Sequence, residues 1–390
     1  MPLEKEKGIM QKWLAEQIGK SYHMNKMRTQ LFSLLIAILV PFVSVSQETT
    51  NKTIDSLTAK IQQEYGIPAI SVSVIKSDTC YYGIQGTTRF NGVDKVSLRS
   101  KFHLGSNSKA VTSFIAMKMV SKGKIDLETT VIELIPELAD SIRKEYHDID
   151  LGSLLAHQAQ VPAYTDGKEF QGLPNFGGSV SEKRGAFTKY VLTEKQVKKG
   201  TYSNAGYVIA SYMLEKASDK TFEELVKYYC EELGIDCFYG FPNKESKLNP
   251  WGHIEENGVL TSLDPDDAYK LEDYMLAAGD MAMDIVDYSK FIQINLQGLN
   301  GKSNYLSQLS FEALHFKIEG YSYGWGNSVS GEQKLSFHDG SGGTYYCHTI
   351  LIPQRDLAIV VMTNSAEDKH VEGIYQLRDM LIENEKKYGS

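Results

Sequence analysis

Ser106-Asn107-Ser108-Lys109 puts a hydroxyl and an amine three residues apart, which on a helix is a single face. A serine beside a lysine there can be a nucleophile beside its base. Spacing alone carries little, because S-x-x-K occurs four times: Ser73/Lys76, Ser106/Lys109, Ser121/Lys124 and Ser141/Lys144. The pair at 106 and 109 differs in its setting. It follows the extended run Phe102-His103-Leu104-Gly105 and opens an amphipathic helical run, Ala110–Ser121. Gly105 permits the tight turn. A serine at a helix start has free N–H groups and the positive end of the helix dipole beside it.

Two further motifs carry matching chemistry. Tyr202-Ser203-Asn204 is the one Y-x-N in the chain, between the turn at Lys199-Gly200 and a helix expected over Ala205–Ala217. A phenol can relay a proton between a serine hydroxyl and a leaving group, if nearby cations lower its pKa from about 10. Asn204 can donate to a substrate carbonyl and tie down a lysine; taken alone, it is as readily a helix cap. The third motif is His338-Asp339-Gly340-Ser341-Gly342-Gly343, at the end of the strand-like run Leu335–Phe337. Glycine in a strand marks close approach of another backbone or a ligand. H-x-G alone is a weak signal, since His103-Leu104-Gly105 matches it, and a lone histidine is more often structural.

The elements that must position these residues follow a simple order. Thr53–Tyr65 has helical apolar spacing and is stopped by Gly66-Ile67-Pro68. Ala69–Ile75 and Cys80–Gln85 read as strands joined by a turn at Lys76-Ser77-Asp78. Helical periodicity then dominates through Leu151–His157, Ala205–Ala217 and Phe222–Leu233, with long polar connections such as Tyr164–Ser181. Strands return after Gly320–Trp325, at Leu335–Asp339, Tyr345–Ile352 and Leu357–Thr363, and a helix over Val371–Lys386 closes the chain. The expected class is α+β: an antiparallel sheet built from both chain ends and flanked by terminal helices, with a mostly helical region inserted. The sheet part is expected over about 47–105 and 315–390, and the helical part over about 106–314. A cleft between the two is a usual place for a site.

Taken together and in order, the three motifs resemble the serine β-lactamase and penicillin-binding-protein superfamily, which carries S-x-x-K. The nearer resemblance is to the class C β-lactamase-like branch, with Y-x-N second and K-T-G or H-x-G third. That branch includes D,D-peptidases, D-aminopeptidases and esterases. FHLGSNSKAVTSFIAMKMVSKGKIDLETTVIELIPEL resembles its nucleophile helix, LGSLLAHQAQVPAY its Leu-Leu-x-His loop, and TYSNAGYVIASYMLEKASDKTFEELV its tyrosine region. AAGDMAMDIVDYSKF and SGGTYYCHTILIPQRDLAIVVMTNS are similar to later landmarks, so the likeness spans roughly Ile54 to Ser365.

The resemblance implies an acyl-enzyme hydrolase. Ser106 would be the acylated nucleophile, with Lys109 and Tyr202 sharing base and acid work. Asn204 would orient Lys109 and the substrate amide, and His338 would stand at the third-motif lysine. The N–H groups of Ser106 and Ser341 would form the oxyanion hole, with Asp339 and Gly340 beside the substrate. The implied substrates are amides or esters that are peptide-like or derived from cell wall. An esterase or a β-lactamase is the alternative on the same fold. A catalytically silent penicillin-binding or sensor domain is the alternative of another class. His338 and Asp339 depart from the lysine and threonine that help hold a substrate carboxylate, replacing a permanent cation by a pH-dependent one and a hydroxyl by a negative charge.

Composition bounds the rest. The 390 residues are 42% apolar and 23% charged, ordinary for a globular chain, and a net charge of −8 offers nucleic acid no electrostatic partner. The histidines are scattered without metal-ligand spacing, and no cofactor or metal is called for. The implied partner is a small-molecule or peptide-like substrate; oligomeric state is not legible. Leu31–Val43 is an apolar run of 13 residues after Lys26 and Arg28, followed by small residues at Val43-Ser44-Val45-Ser46. That reads as a secretory signal over 24–46, with the mature domain from Gln47, no membrane span in it, and a periplasmic destination, with secretion the alternative. Residues 1–23 read as a non-native extension or a mis-assigned start. Cys80, Cys230, Cys237 and Cys347 permit three pairings if oxidised, and buried free thiols are an equal reading, so no redox or metal role is assigned.

Overall fold

The computed structural model describes residues 49–165, 167–266, 271–331 and 333–388; the signal and start readings fall outside them. In chain order, the elements used below begin with helix α1 (Lys52–Tyr65) and strands β1 (Ala69–Ile75), β2 (Cys80–Gly86) and β3 (Lys101–His103). Helices α2 (Ser108–Ser121), α3 (Val180–Val191), α4 (Asn204–Ser218) and α5 (Phe222–Leu233) follow. Then come β4 (Phe238–Tyr239), β5 (Met281–Asp284), α6 (Ile285–Leu299) and α7 (Gln308–Phe316). The chain finishes with β6 (Gly326–Ser330), β7 (Gln333–Ser341), β8 (Tyr346–Ile352), β9 (Leu357–Thr363) and α8 (Asp368–Glu383).

The main sheet has the order β2-β1-β9-β8-β7-β6, antiparallel throughout, with the short strand Thr49–Thr50 adding a parallel edge beside β2. Strands from the two ends of the chain therefore meet at its centre, where β1 pairs β9 from Ile70↔Thr363 to Ile75↔Ala358. Both strands are buried along their whole length, which is why they read as near-continuous apolar runs. Ile70, Val72 and Val74 face α1 and α8 with Ile54, Ile61, Ile374 and Leu377. The opposite face packs on the helical region. There Ser289 of α6 hydrogen-bonds to Ser73 at 2.7 Å. Helix α1 starts where the Asn51 side chain accepts from Thr53 and Ile54 N–H, a cap worth about 1 kcal/mol, and stops at Gly66 with φ +69°.

Three features differ from the sequence expectation. Strand β3 leaves the main sheet and pairs with β5, which also pairs with β4, making a second small sheet inside the helical region. Helix α2 is buried on every side from Ser108 to Met119, not amphipathic, because it is the central helix with others packed around it. The polar stretch after Tyr164 also gives way to helix α3, started by a Ser179/Glu182 capping box. Among the described residues, no helix is long and apolar enough to cross a membrane.

Candidate active site

Strand β3 runs through Leu104 into a tight turn, Gly105–Asn107, that continues directly as α2. Leu104 N–H donates to Met281 O at 2.8 Å and Gly105 N–H to His103 Nδ1 at 3.2 Å. Asn107 tethers the turn to the sheet. Its Nδ2 donates to Cys347 O at 2.8 Å, and its Oδ1 accepts from the Tyr288 hydroxyl at 2.9 Å. The turn is pressed against the end of β7, and two glycines allow it. Gly105 has φ +52°, and a Cβ there would lie 2.6 Å from Ser341 N; a Cβ on Gly340 would lie 2.0 Å from Leu104 O. Strand β6 pairs with β7 over Gln333–Phe337, and beyond that point the same edge faces the nucleophile turn.

Ser106 is partly exposed while Lys109, one turn on, is fully buried. Lys109 Nζ lies 3.2 Å from Ser106 Oγ, 2.6 Å from Asn204 Oδ1 and 2.6 Å from Ala278 O. None of these partners is a carboxylate. Burial without a counter-charge holds this amine well below the ordinary lysine range. A neutral amine has two protons and one lone pair. The amide oxygen and the carbonyl oxygen can only accept, so they take the two protons. In the neutral form of the amine the lone pair is left for the Ser106 hydroxyl.

In the second motif Ser203, not Asn204, is the helix cap: its Oγ accepts from Gly206 N–H at 2.9 Å. Asn204 is thereby freed to accept from Lys109, while its Nδ2 donates to Tyr164 O at 2.9 Å and keeps one proton unspent. Tyr202 hydrogen-bonds to Ser106, and its ring lies 4.7 Å from Lys109 Nζ. The expectation that nearby cations lower the phenol is corrected. Burial pushes the Tyr202 phenol up, and the hydrogen bond with Ser106 offsets that only in part.

The third motif divides. A pocket of about 610 Å³ is lined by Ser106, Tyr202, Asn204, Asp339, Ser341 and Gly343, with Leu271 and Met275 on its apolar side. His338 and Gly340 are not among the lining residues. Gly340 allows the turn and strand to touch, which is a different role from the substrate contact expected. His338 is buried, with Nδ1–H donating to Asp339 O at 2.9 Å and Nε2 accepting from the Tyr321 hydroxyl at 3.0 Å. Burial pushes it down to about 4, so no cation stands there at neutral pH. Asp339 keeps its charge: despite partial burial, the His348 Nδ1–H at 2.7 Å and Tyr346 hold its carboxyl below the usual range. Among the described residues lining the pocket it is the only one with a formal charge.

The other S-x-x-K serines lie elsewhere. Ser73 is in the sheet core, Ser121 Oγ donates to Lys118 O, and Ser141 Oγ to Leu138 O.

The chain matches the family model described as Beta-lactamase over residues 54–380. It belongs to the beta-lactamase family. Beta-lactamase-family proteins of this fold are typically serine hydrolases. Protein flp of Staphylococcus aureus (strain MW2) is 21% identical over 87% of this chain and 68% of its own length. The D-amino acid amidase from Ochrobactrum anthropi SV3 superposes with a TM-score of 0.68 at 17% identity, over 87% of this chain and 100% of that one. The class C beta lactamase from Rhodobacter sphaeroides gives 0.67 at 14% identity, over 85% and 100%. At these identities the likeness is one of fold.

Several residues that shape this beta-lactamase-family site escape sequence reasoning. Ala278 contributes only its carbonyl, so no side chain could announce it. Asn107 lies inside the first motif but acts through tertiary bonds. His157, in the Leu-Leu-x-His loop, accepts from Ser203 N–H at 3.1 Å, and its ring packs, tilted, 4.2 Å from that of Tyr202 and 4.5 Å from that of Tyr321. Burial keeps its imidazole uncharged. Tyr321 reads from sequence only as part of a glycine- and aromatic-rich bend, yet it holds His338.

Proposed function

We propose that this chain is an exported serine hydrolase that cleaves amide or ester bonds of peptide-like, cell-wall-derived substrates through an acyl-enzyme. The carrying observation is the Lys109 amine, buried without a carboxylate and turned by Asn204 and Ala278 toward Ser106 Oγ. In acylation Ser106 Oγ attacks the scissile carbonyl and its proton passes to Lys109 Nζ. Tyr202, protonated at rest, hands a proton to the leaving group and recovers one from Lys109. The N–H groups of Ser106 and Ser341, on backbones that Gly105 and Gly340 bring together, stabilise the oxyanion. Water then takes the leaving group's place, and the same groups return the proton to Ser106.

Asp339 narrows the substrate. A carboxylate beside the scissile bond would meet a negative charge, and the uncharged His338 offers it no compensation. Substrates neutral there, or bearing an amine, suit the pocket better than penicillins or D-alanyl-D-alanine termini.

The test is intact mass after incubation with D-Ala-D-Ala peptides, D-amino amides, p-nitrophenyl esters and nitrocefin. Wild type should gain one acyl group, on the peptide containing Ser106, and Ser106→Ala should gain none. An adduct that persists in Ser106→Ala would sink the assignment. No adduct and no turnover with any donor would favour the silent binding domain.

A further inference from the structure

Helix α5 ends at Gly234, in the left-handed conformation at φ +64°, whose N–H donates back to Cys230 O and Glu231 O. Ile235 N–H also donates to Cys230 O, at 3.0 Å. This reversal folds the chain over its own helix end and brings Cys237 back upon Cys230. The Cys237 and Cys230 side chains interact there, and Cys237 Sγ lies 3.7 Å from Phe238 O. Both cysteines line one surface cavity of about 440 Å³ with Lys227, Glu231 and Asp236. Cys237 is partly exposed and Cys230 is buried behind it. The other two thiols have no such access. Cys80 and Cys347 are buried in β2 and β8, with β1 and β9 between those strands.

We propose that Cys230 and Cys237 close into a structural disulfide, by exchange with an oxidised low-molecular-weight thiol such as glutathione disulfide. Cys237, the reachable sulfur, loses its proton and attacks the glutathione disulfide. One glutathione leaves as a thiolate, and a mixed disulfide remains. The Cys230 thiol then loses its proton, attacks the Cys237 sulfur and expels the second glutathione. Two thiol hydrogens are lost from the chain and one glutathione disulfide becomes two glutathiones. Hydrogen bonding to Cys230 and burial both raise the Cys237 thiol, so its reactive thiolate is scarce at neutral pH. A thiol pair of that kind forms a bridge slowly and holds it; it is no reactive redox centre.

The bridge would tie the end of α5 to β4. Strand β4 pairs with β5, and β5 pairs with β3, which leads into the Ser106 turn. It would therefore clamp the strands beneath the nucleophile while lying apart from the pocket and its proton-carrying groups. Nothing in this inference rests on the hydrolase reading.

The experiment uses the purified full chain, incubated natively with glutathione disulfide or with dithiothreitol, then denatured and alkylated. The tryptic peptide spanning residues 228–244 contains both cysteines, and in the oxidised sample it should lose two hydrogens and escape alkylation. Cys80 and Cys347 should be alkylated in both samples. Tm should rise by several degrees on oxidation, and Cys230→Ser should abolish both the mass change and the rise. Linkage to Cys80 or Cys347, a persistent glutathione adduct on Cys237, four free thiols, or a bridge without a rise in Tm would each overturn the proposal. Linkage is read on the wild-type chain, so the result does not depend on the variant folding.

Discussion

Asp339 is the residue that most separates this pocket from one built to hold a carboxylate. Its side chain is 35% exposed, and His348 and Tyr346 donate to it from the neighbouring strand. Those donors keep it ionised without cancelling its reach into the pocket. At about 4 Å a second carboxylate would be repelled by roughly 1 kcal/mol in water and about 4 kcal/mol at an intermediate dielectric. Asp339→Thr should therefore raise kcat/KM for carboxylate-bearing substrates about tenfold or more, and leave neutral esters nearly unchanged. The ratio between the two substrate classes is the readout. Equal changes in both would mean that Asp339 shapes the strand and does not select substrates.

At the scale of elements, the site depends on contact between the Ser106 turn and the end of β7. Neither partner can yield easily: Leu104 is bonded to Met281 O, and β7 is paired with β8 through Ser341. Gly340→Ala would place a methyl 2.0 Å from Leu104 O and 2.7 Å from Asn107 Nδ2. The expected loss is about 1–3 kcal/mol of stability, as for an overpacked core, together with at least a tenfold slower acylation. Gly177→Ala is the control, since a Cβ there meets nothing within 4 Å. Denaturant unfolding and adduct formation by mass would measure the two effects. A Gly340→Ala protein with normal stability and normal acylation would contradict this account of the third-motif glycine.

For the molecule as a whole, the buried histidines set the response to acid. His338 and His370 are pushed down to about 4 and His315 to about 3, chiefly by burial. In the unfolded chain each titrates near 6.5. Between about pH 6.5 and 4 the unfolded chain binds protons that the folded chain refuses, so stability falls as pH falls. Above 6.5 these groups cost nothing. Each histidine removes up to about 1.4 kcal/mol per pH unit in that window. Three together would remove several kcal/mol by about pH 5, a large share of an ordinary domain's stability. Urea unfolding at pH 7, 6 and 5 should show that decline. An unchanged free energy down to pH 5 would show that these imidazoles are protonated in the fold.

Local pattern was enough for much of this protein. The strands Ala69–Ile75 and Leu357–Thr363 and the helix Phe222–Leu233 read directly from apolar runs and periodicity, and their bounds are those in the structure. The four residues Ser106, Lys109, Tyr202 and Asn204, which the structure brings within hydrogen-bond or ring contact of one another, were each marked by type and setting. Charge states and directions were not legible. The Lys109 amine is held well below the ordinary lysine range because it is buried with no carboxylate approaching it. His338 faces Tyr321 and not the pocket, and Gly340 meets a backbone and not a substrate. Residue type and spacing depend on neighbours a few positions away, and the sequence contains them. Protonation and facing depend on burial and on long-range partners, and these exist only once the two ends of the chain have met.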